Sequence, residues 1–308
     1  MKKIISLVLC VLLLLSFSSC NGRADNEKPI IVATIFPPFD FASAVCGELM
    51  NVEMLLPEGS ESHYFEPSLS DIAKIRSADL FIYAGDSIEP WVEDVLEVLE
   101  GSDTAVLNIT DGVELLKEES VVPGGHIHSH SENDEHIWTS LKICQSIIGK
   151  IKDKICQIDP ENEAVYEKNC QDYVNRMDGL DKDLESSLKS AELSTLVFAD
   201  RFPFRYLAND YKIECFAAFS GCSSDSEPTL SAISALVGKI KENSLPCVIT
   251  LETTKGSVAQ KIADSAKVEV MMLHSCHNIT KEQMAKKITY VDLMSDNIKV
   301  IKEALGCH

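Results

Sequence analysis

The chain has 308 residues, of which 28 are Lys or Arg and 48 are Asp or Glu, so its formal net charge is −20 at pH 7. So acidic a chain repels nucleic acid and anionic lipid heads, which argues against both as partners and suits a cationic ligand. The length is enough for two domains, each with its own core.

The first twenty residues have the parts of a secretory signal peptide. Two lysines precede an apolar run from Ile4 to Leu15, and small residues then lead to Cys20. The run is shorter than the roughly 20 residues that span a bilayer. Small residues before a cysteine are typical of a bacterial lipobox, although Phe17 stands where leucine is usual. We predict a signal peptide over 1–19 and a tether over 20–27, lipidated at Cys20; ordinary secretion is the alternative.

Strands alternate with helices in the next part of the chain, residues 28–140. Alternation of this kind predicts a parallel sheet with helical crossovers, an α/β lobe. Ligands of such sheets lie beyond the carboxyl ends of the strands, and His63 follows the second strand. The predicted strands are 29–35, 52–56, 80–84 and 106–109, and the predicted helices are 39–47, 68–77 and 91–99.

One long amphipathic helix is predicted over residues 159–193. Apolar side chains recur at steps of three and four from Tyr166 to Leu188, which places them on one face. Asp159 and Pro160 at its start are typical of a helix N-terminus. We predict that residues 141–193 form a rigid helical connection between two lobes and leave a cleft between them.

The last part of the chain, residues 194–308, repeats the alternation of strands and helices. It is expected to form a second α/β lobe, ending in a segment, 283–305, that is one long helix or two. The predicted fold class is therefore α/β, with two parallel-sheet lobes joined by one long rigid helix. The predicted strands are 195–199, 214–219, 247–252 and 268–273, and the predicted helices are 229–242 and 257–266.

Cysteine usage argues against a disulfide framework. The eleven cysteines are scattered without a Cys-x-x-Cys pair, so a cysteine-rich zinc finger is not indicated either. Cys144, Cys156 and Cys170 fall on helix faces, and we interpret them as small buried apolar groups.

The histidines are unevenly placed: none lies in the long helix or inside a predicted strand. Imidazoles that bind one metal ion must converge from several elements, which loops at strand ends allow. Three further histidines alternate in a Gly- and Ser-rich segment, which predicts loose metal capture; a solvated segment with incidental histidines is the alternative. These three are His126, His128 and His130.

The order of these motifs resembles the zinc/manganese solute-binding lipoproteins of bacterial ABC importers, the ZnuA/TroA-like group of cluster A-I. The matching features are the lipobox, His63 in Gly-x-x-x-His-x-x-Glu-Pro, the His-rich loop, Glu135-His136-Ile137-Trp138 and a ligand-type residue after Leu273. The resemblance covers nearly the whole mature chain. It implies two α/β lobes, a rigid connecting helix and a metal ion held in the cleft for delivery to a permease.

The resemblance also implies four metal ligands, of which His63 and His136 match the first two. The family's third ligand is a His or Glu after the first strand of the second lobe; Ala199 stands there, so Asp200 is the candidate for a carboxylate in its place. The fourth is usually an Asp after a Leu, a place that His274 occupies here. Glu66 and Glu252 are expected to hold imidazole tautomers in place. The spare ligand candidates are Cys276, His277 and Cys222.

Three imidazoles and one carboxylate or thiolate suit Zn²⁺ in tetrahedral geometry. A nitrogen-rich set disfavours Mn²⁺, which, with other divalent transition metals, remains the alternative ion. Because imidazoles bind metal when neutral, affinity is expected to fall as the pH drops through about 6.5. The predicted chemistry is ligation, so no enzymatic activity is expected.

We therefore expect a monomeric Zn²⁺-binding lipoprotein on the outer face of the membrane, whose His-rich loop collects metal for the cleft and whose partner is an ABC permease. One alternative is a binding protein for chelated iron, haem or a corrinoid, which an aromatic content of 6% disfavours. A secreted zinc hydrolase is a second alternative, but the chain has no His-Glu-x-x-His helix. A surface adhesin is neither supported nor excluded by the sequence.

Overall fold

The computed structural model describes residues 28–118, 121–123, 133–219, 228–254 and 256–308. The predicted signal peptide therefore lies outside the described residues, as do the predictions for five individual side chains. These are Cys20, His126, His128, His130 and Cys222.

The first lobe is a four-stranded parallel sheet in the order β2-β1-β3-β4. Its two central strands are apolar throughout because the sheet is covered on both faces. Along β1 the side chains alternate, so that Ile31 and Ala33 enter one core and Val32 the other. The strands are β1 Ile30–Ala33, β2 Asn51–Met54, β3 Leu80–Tyr83 and β4 Ala105–Asn108, and the helices are α1 Phe36–Cys46, α2 Leu69–Ser77 and α3 Val92–Leu99.

Helix α1 begins three residues earlier than predicted. Pro37 and Pro38, which we expected to precede the helix, lie in its first turn. The first-turn amides have no partner within a helix, so proline loses nothing there and its fixed φ favours the helical conformation. The amide of Phe36 instead donates to the carbonyl of His277 in the second lobe.

The connection consists of α4 Leu141–Ile158, a 3₁₀ turn Pro160–Asn162 and α5 Glu163–Leu188. The long helix thus begins at Glu163, four residues later than predicted, because the carboxylate of Asp159 accepts hydrogen bonds from Asn162 and the hydroxyl of Tyr166. The predicted apolar face is buried, except that Leu180 and Leu188 are only partly buried. The buried residues of α5 are Tyr166, Cys170, Tyr173, Met177, Asp181 and Leu184.

The second lobe is a parallel sheet in the order β6-β5-β7-β8, the same topology as the first. The final segment is two helices, because the chain leaves the helical conformation between Ala285 and Tyr290. The strands are β5 Thr195–Phe198, β6 Glu214–Ala217, β7 Cys247–Leu251 and β8 Glu269–Leu273, and the helices are α6 Arg205–Tyr211, α7 Leu230–Glu242, α8 Ser257–Ala266, α9 Lys281–Ala285 and α10 Tyr290–Ala304.

One apolar core runs through both lobes and the connection. Helix α5 packs against α4, against α1 of the first lobe and against α10 of the second. Trp138, Tyr166 and Tyr290 are the largest of its fully buried side chains. In the described residues every cysteine is free, and no helix combines the length and apolarity needed to cross a membrane.

Candidate metal centre

The rings of His63 and His136 lie next to each other, with their planes tilted by 50°. His63 belongs to a 3₁₀ turn, Ser62–Tyr64, in the loop after β2, and His136 immediately precedes another, Ile137–Thr139. Their ring centroids are 5.6 Å apart. Two imidazoles that share a tetrahedral Zn²⁺ at bond lengths of about 2.0–2.1 Å have centroids roughly 5 Å apart. The separation therefore fits a shared ion.

The second lobe adds His277 to this pair. A cavity of about 30 Å³ is lined by His63, His136 and His277, together with Glu61 and Arg201. The Nε2 atom of His277 is buried and has no hydrogen-bond partner; Oε1 of Glu61 lies 3.6 Å from it. Burying an unsatisfied ring nitrogen costs free energy, which a metal ion bound to that nitrogen would recover.

The ring of His136 is held by a carboxylate. Its Nδ1 lies 2.9 Å from Oδ1 of Asp134, whose other oxygen lies 3.6 Å from Nε of Arg205. Burial opposes ionisation of Asp134, but its contacts with His136 and Arg205 lower the pKa of that carboxyl overall. Because an ionised carboxylate only accepts, Nδ1 carries the proton and the Nε2 lone pair is available for a metal.

A two-step relay holds the ring of His277. The hydroxyl oxygen of Ser275 lies 2.5 Å from Nδ1 of His277 and 2.5 Å from Oε1 of Glu252. The one hydroxyl proton goes to the carboxylate, so the oxygen accepts from Nδ1–H and leaves the Nε2 lone pair bare. Glu252, which we expected to hold an imidazole directly, therefore does so through Ser275.

Hydrogen bonds anchor the loop of His277 on the first lobe. The side-chain amide of Asn278 donates to the carbonyls of Pro57 and Ser60 at 2.8 and 2.7 Å. The indole of Trp138, two residues after His136, donates to the carbonyl of Ser275 at 3.0 Å. The three histidine loops are therefore held in register by hydrogen bonds from side chains to backbone carbonyls, none of which involves an imidazole.

The loop of His136 is in turn fixed to the β3–α3 loop. The carboxylate of Glu135 accepts from the backbone amides of Ser87 and Ile88 at 2.8 and 3.0 Å. Gly85 lies so close that a Cβ atom there would come within 2.5 Å of this carboxylate. A side chain at this position would push the carboxylate away from the amides of Ser87 and Ile88, and so disturb the loop that carries His136.

Burial keeps the imidazoles of His63 and His277 neutral by lowering their pKa values. It lowers the pKa of His63 to about 3, and the neighbouring His136, His277 and Arg201 act in the same direction. Burial likewise lowers the pKa of His277, against the opposing effect of Glu61. Neutral rings are the form that binds metal.

The three rings share a cavity without forming a finished coordination sphere. In the described part of the chain, no group of three or more His, Cys, Asp and Glu side chains is already arranged to hold a metal ion. To share one ion, the three rings would have to come closer together than they lie here.

The structure does not bring two of the predicted ligands into this cavity. Nδ1 of His274 accepts from the amide of Cys276 at 3.0 Å, and Nε2 faces the amide of Gln283 at 3.4 Å. Oδ2 of Asp200 accepts from the hydroxyl of Thr250 at 2.6 Å and from the amide of Leu251 at 2.9 Å. Both side chains have polar partners within the second lobe, and neither lines the cavity that His63, His136 and His277 share.

The two spare ligand candidates in this loop, Cys276 and His277, lie in different surroundings. The thiol of Cys276 is buried beside the carbonyl of His274 and the sulfur of Met294, and burial raises its pKa well above the usual range. The backbone of Cys276 has φ of 63°, a left-handed conformation that is unusual for a residue with a side chain. The chain turns there, which places His277, rather than Cys276, in the cavity.

Sequence reasoning missed Glu61 and the cavity position of Arg201. Glu61 precedes His63 by two residues on the same loop, which was a usable signal. Glu66, expected to hold an imidazole, is exposed and lines a groove on the first lobe that His63 also borders. Arg201 is not a metal ligand, since its guanidinium keeps its protons, but it lines the cavity beside Glu61.

Comparison with known families agrees with this architecture. Residues 31–304 match the family model described as ZnuA, the periplasmic component A of the zinc-uptake complex. The chain is 30% identical to the zinc-binding lipoprotein AdcA of Streptococcus pneumoniae over 98% of its own length, but spans only 61% of the length of AdcA. It is 29% identical to the high-affinity zinc uptake system protein ZnuA of Bacillus subtilis, with 94% of this chain and 92% of that protein covered.

A solved structure shows the same fold. The Zn(II)-bound ZnuA-like domain of Streptococcus pneumoniae AdcA superposes with a TM-score of 0.77 at 28% identity. The match covers 91% of this chain and 99% of that domain. The predicted fold class, two parallel-sheet α/β lobes with a long connecting helix, is confirmed.

Proposed function

The chain belongs to the ZnuA family of periplasmic zinc-uptake complex components, and we propose that it binds Zn²⁺ outside the cytoplasm and delivers it to an ABC permease. The observation that supports this most directly is the buried, unpartnered Nε2 of His277, which shares a cavity with His63 and His136. Rings from both lobes thus surround one small cavity. The chemistry is ligation, in line with a family of solute-binding transport proteins.

The ligand set that this geometry favours is His63, His136 and His277, with Glu61 as the fourth. Three neutral nitrogens and one carboxylate oxygen suit tetrahedral Zn²⁺, and so nitrogen-rich a set disfavours Mn²⁺. Asp200 and His274, expected as ligands from the family pattern, are assigned instead to holding the second-lobe loops in place, since both are buried and hydrogen-bonded there.

Each ligand would play a defined part in capture. Asp134 and Ser275 fix the tautomers of His136 and His277 before the ion arrives, so little reorganisation of protons accompanies binding. The lowered pKa of His63 means that this ring has no proton to release at neutral pH. The family membership supports an ABC permease as the partner that receives the ion.

We extend the proposal to the parts of the chain outside the described residues. Lipidation of Cys20 would hold the mature protein on the outer face of the membrane. We also propose that the protein is a monomer. The segment with His126, His128 and His130 would collect Zn²⁺ for the cleft; in the sequence it ends shortly before His136.

Zn²⁺ affinity, measured by competition with a chromophoric chelator, tests the cleft assignment. The Zn²⁺ affinity of His136→Ala is expected to be at least tenfold lower. The substitution removes one of the four proposed ligands, and the carboxylate of Asp134 then has no imidazole to orient. His308→Ala is the matched control, since His308 is an exposed histidine at the C-terminus. Equal affinity of the two variants would remove the site from the cleft, and loss only on deletion of 126–130 would move it to the His-rich segment.

A further inference from the structure

Arg201 contributes a cation to the wall of the metal cavity. It comes from the second lobe, directly after Asp200 at the end of β5. Its contacts cross to the first lobe: Nη1 lies 3.7 Å from Oε2 of Glu61, and Nη2 donates to the hydroxyl of Tyr64 at 3.4 Å. A guanidinium among proposed metal ligands is unexpected, because it stays positively charged and repels any cation that enters the cavity.

The carboxylate of Glu61 is shared between that cation and the histidines. Oε1 lies 3.6 Å from Nε2 of His277, while Oε2 lies 3.7 Å from the guanidinium of Arg201. Glu61 is also the only carboxylate among the residues that line the cavity. One acidic group thus faces both the place where an ion would bind and the cation already present.

We propose that Arg201 is a displaceable cation, which holds Glu61 and joins the lobes until Zn²⁺ takes its place on that carboxylate. The inference rests on the proposed function. Zn²⁺ would draw Oε1 of Glu61 into its coordination sphere, and the guanidinium would turn away from the ion. Arg201 has a route outwards, since a quarter of its side chain is exposed (25%).

In this exchange Arg201 has two opposite effects, one on Zn²⁺ affinity and one on the stability of the metal-free protein. Arg201 lowers the affinity for Zn²⁺, because the ion must break the pair with Glu61 and overcome the repulsion of a nearby positive charge. It stabilises the metal-free protein, because it connects loops of the two lobes. When the ion leaves, Arg201 is positioned to reoccupy Glu61, which favours release to the next carrier.

The test measures both consequences on the full chain. Arg201→Gln is expected to bind Zn²⁺ about two- to fivefold more tightly in chelator competition, the ratio that corresponds to one partly exposed ion pair. The same variant is expected to unfold at a lower temperature without metal. Arg201→Lys, which keeps the charge, is expected to stay within twofold of the wild-type affinity.

Two further variants separate the exchange from simpler effects. Arg176→Gln is the matched control: it removes a guanidinium from a similar ion pair, with Asp292 at 3.6 Å, on the connecting helix, and should leave Zn²⁺ affinity unchanged. In a Glu61→Gln background, Arg201→Gln should raise the Zn²⁺ affinity much less than it does in the wild type, because the carboxylate that the guanidinium and the ion share is gone.

The outcomes distinguish the inference from the proposed function. If Arg201→Gln binds Zn²⁺ no more tightly than the wild type, while His136→Ala still loses affinity, the exchange is refuted and the metal site stands. An undiminished gain in the Glu61→Gln background also refutes it, since repulsion alone would then act. If the wild type does not bind Zn²⁺ through His136, the proposed function itself fails.

Discussion

Nδ1 of His136 lies 2.9 Å from Oδ1 of Asp134, two residues earlier on the chain. The backbone amide of His136 donates to the same oxygen, also at 2.9 Å. One carboxylate therefore fixes both the backbone and the ring of the proposed ligand before any ion is present, and it does so within a loop that lies between the lobes.

Asp134→Asn is expected to weaken Zn²⁺ binding by roughly 10- to 100-fold, because an amide no longer enforces the Nδ1–H tautomer. Chelator competition measures the loss. Asp153→Asn, which alters an exposed carboxylate on α4, is the control. Because Asp134 also contacts Arg205, thermal unfolding should be recorded in parallel; wild-type affinity in a folded Asp134→Asn variant would contradict the role given to this carboxylate.

Ser275→Ala is expected to lower Zn²⁺ affinity roughly tenfold, because it cuts the relay from Glu252 to His277 and frees the imidazole to change tautomer. Isothermal titration with Zn²⁺ gives the affinity. The control is Ser265→Ala, whose hydroxyl donates to a carbonyl on the exposed face of α8. Equal losses in the two serine variants would mean that the relay does not act on the metal.

His277→Ala and His274→Ala are expected to separate binding from stability. The first removes a proposed ligand, so Zn²⁺ affinity should fall at least tenfold. The second removes the acceptor for the amide of Cys276 and should mainly lower the melting temperature of the metal-free protein. Each variant serves as the control for the other, and a larger affinity loss in His274→Ala would restore His274 as the ligand.

The stability of the metal-free protein should rise with pH between about 3 and 6.5 because of His63. Its pKa is about 3 in the folded protein and about 6.5 in an unfolded chain, so the unfolded state binds more protons in this window. His63→Gln should reduce the slope of the unfolding free energy by up to about 1.4 kcal/mol per pH unit. Urea unfolding at pH 4.5, 5.5 and 7.5 measures it, with His308→Gln as the control.

The lowered pKa of His63 also changes the expected pH dependence of Zn²⁺ binding. An ordinary imidazole would be protonated below about 6.5 and would compete with the ion. Since the pKa of His63 lies near 3, this ring should not contribute to loss of affinity between pH 6.5 and 5.

Asp40→Asn is expected to stabilise the protein at pH 7 and above. Burial raises the pKa of Asp40 to about 6, so the stability that its protonated form contributes is lost as the pH rises through that value. One oxygen, Oδ2, accepts from both the hydroxyl of Tyr173 and the amide of Tyr290, and the amide oxygen of asparagine can do the same. Thermal unfolding from pH 5 to 8 checks this, with exposed Glu48→Gln as the control; a less stable Asn variant at pH 8 would contradict it.

The alternation of apolar strands and amphipathic helices was enough to predict the fold. The third strand was expected at 80–84 and lies at Leu80–Tyr83. A short, continuous apolar run is typical of a central strand in a parallel sheet that is covered on both faces. Boundaries that depend on local hydrogen bonds were less predictable. The start of α1 at Phe36 and the 3₁₀ turn before α5 both depend on partners that periodicity does not reveal.

The sequence by itself made His63 and His136 ligand candidates, because the motifs around them resemble those of a known family. Only the tertiary structure placed His277, and not His274, in the cavity, because that placement depends on a left-handed turn at Cys276 and on contacts with the first lobe. The pairing of Glu61 with Arg201 was equally inaccessible, since it joins residues from different lobes. Local pattern determines which residues reach the cleft, whereas packing between distant segments determines which of their atoms meet.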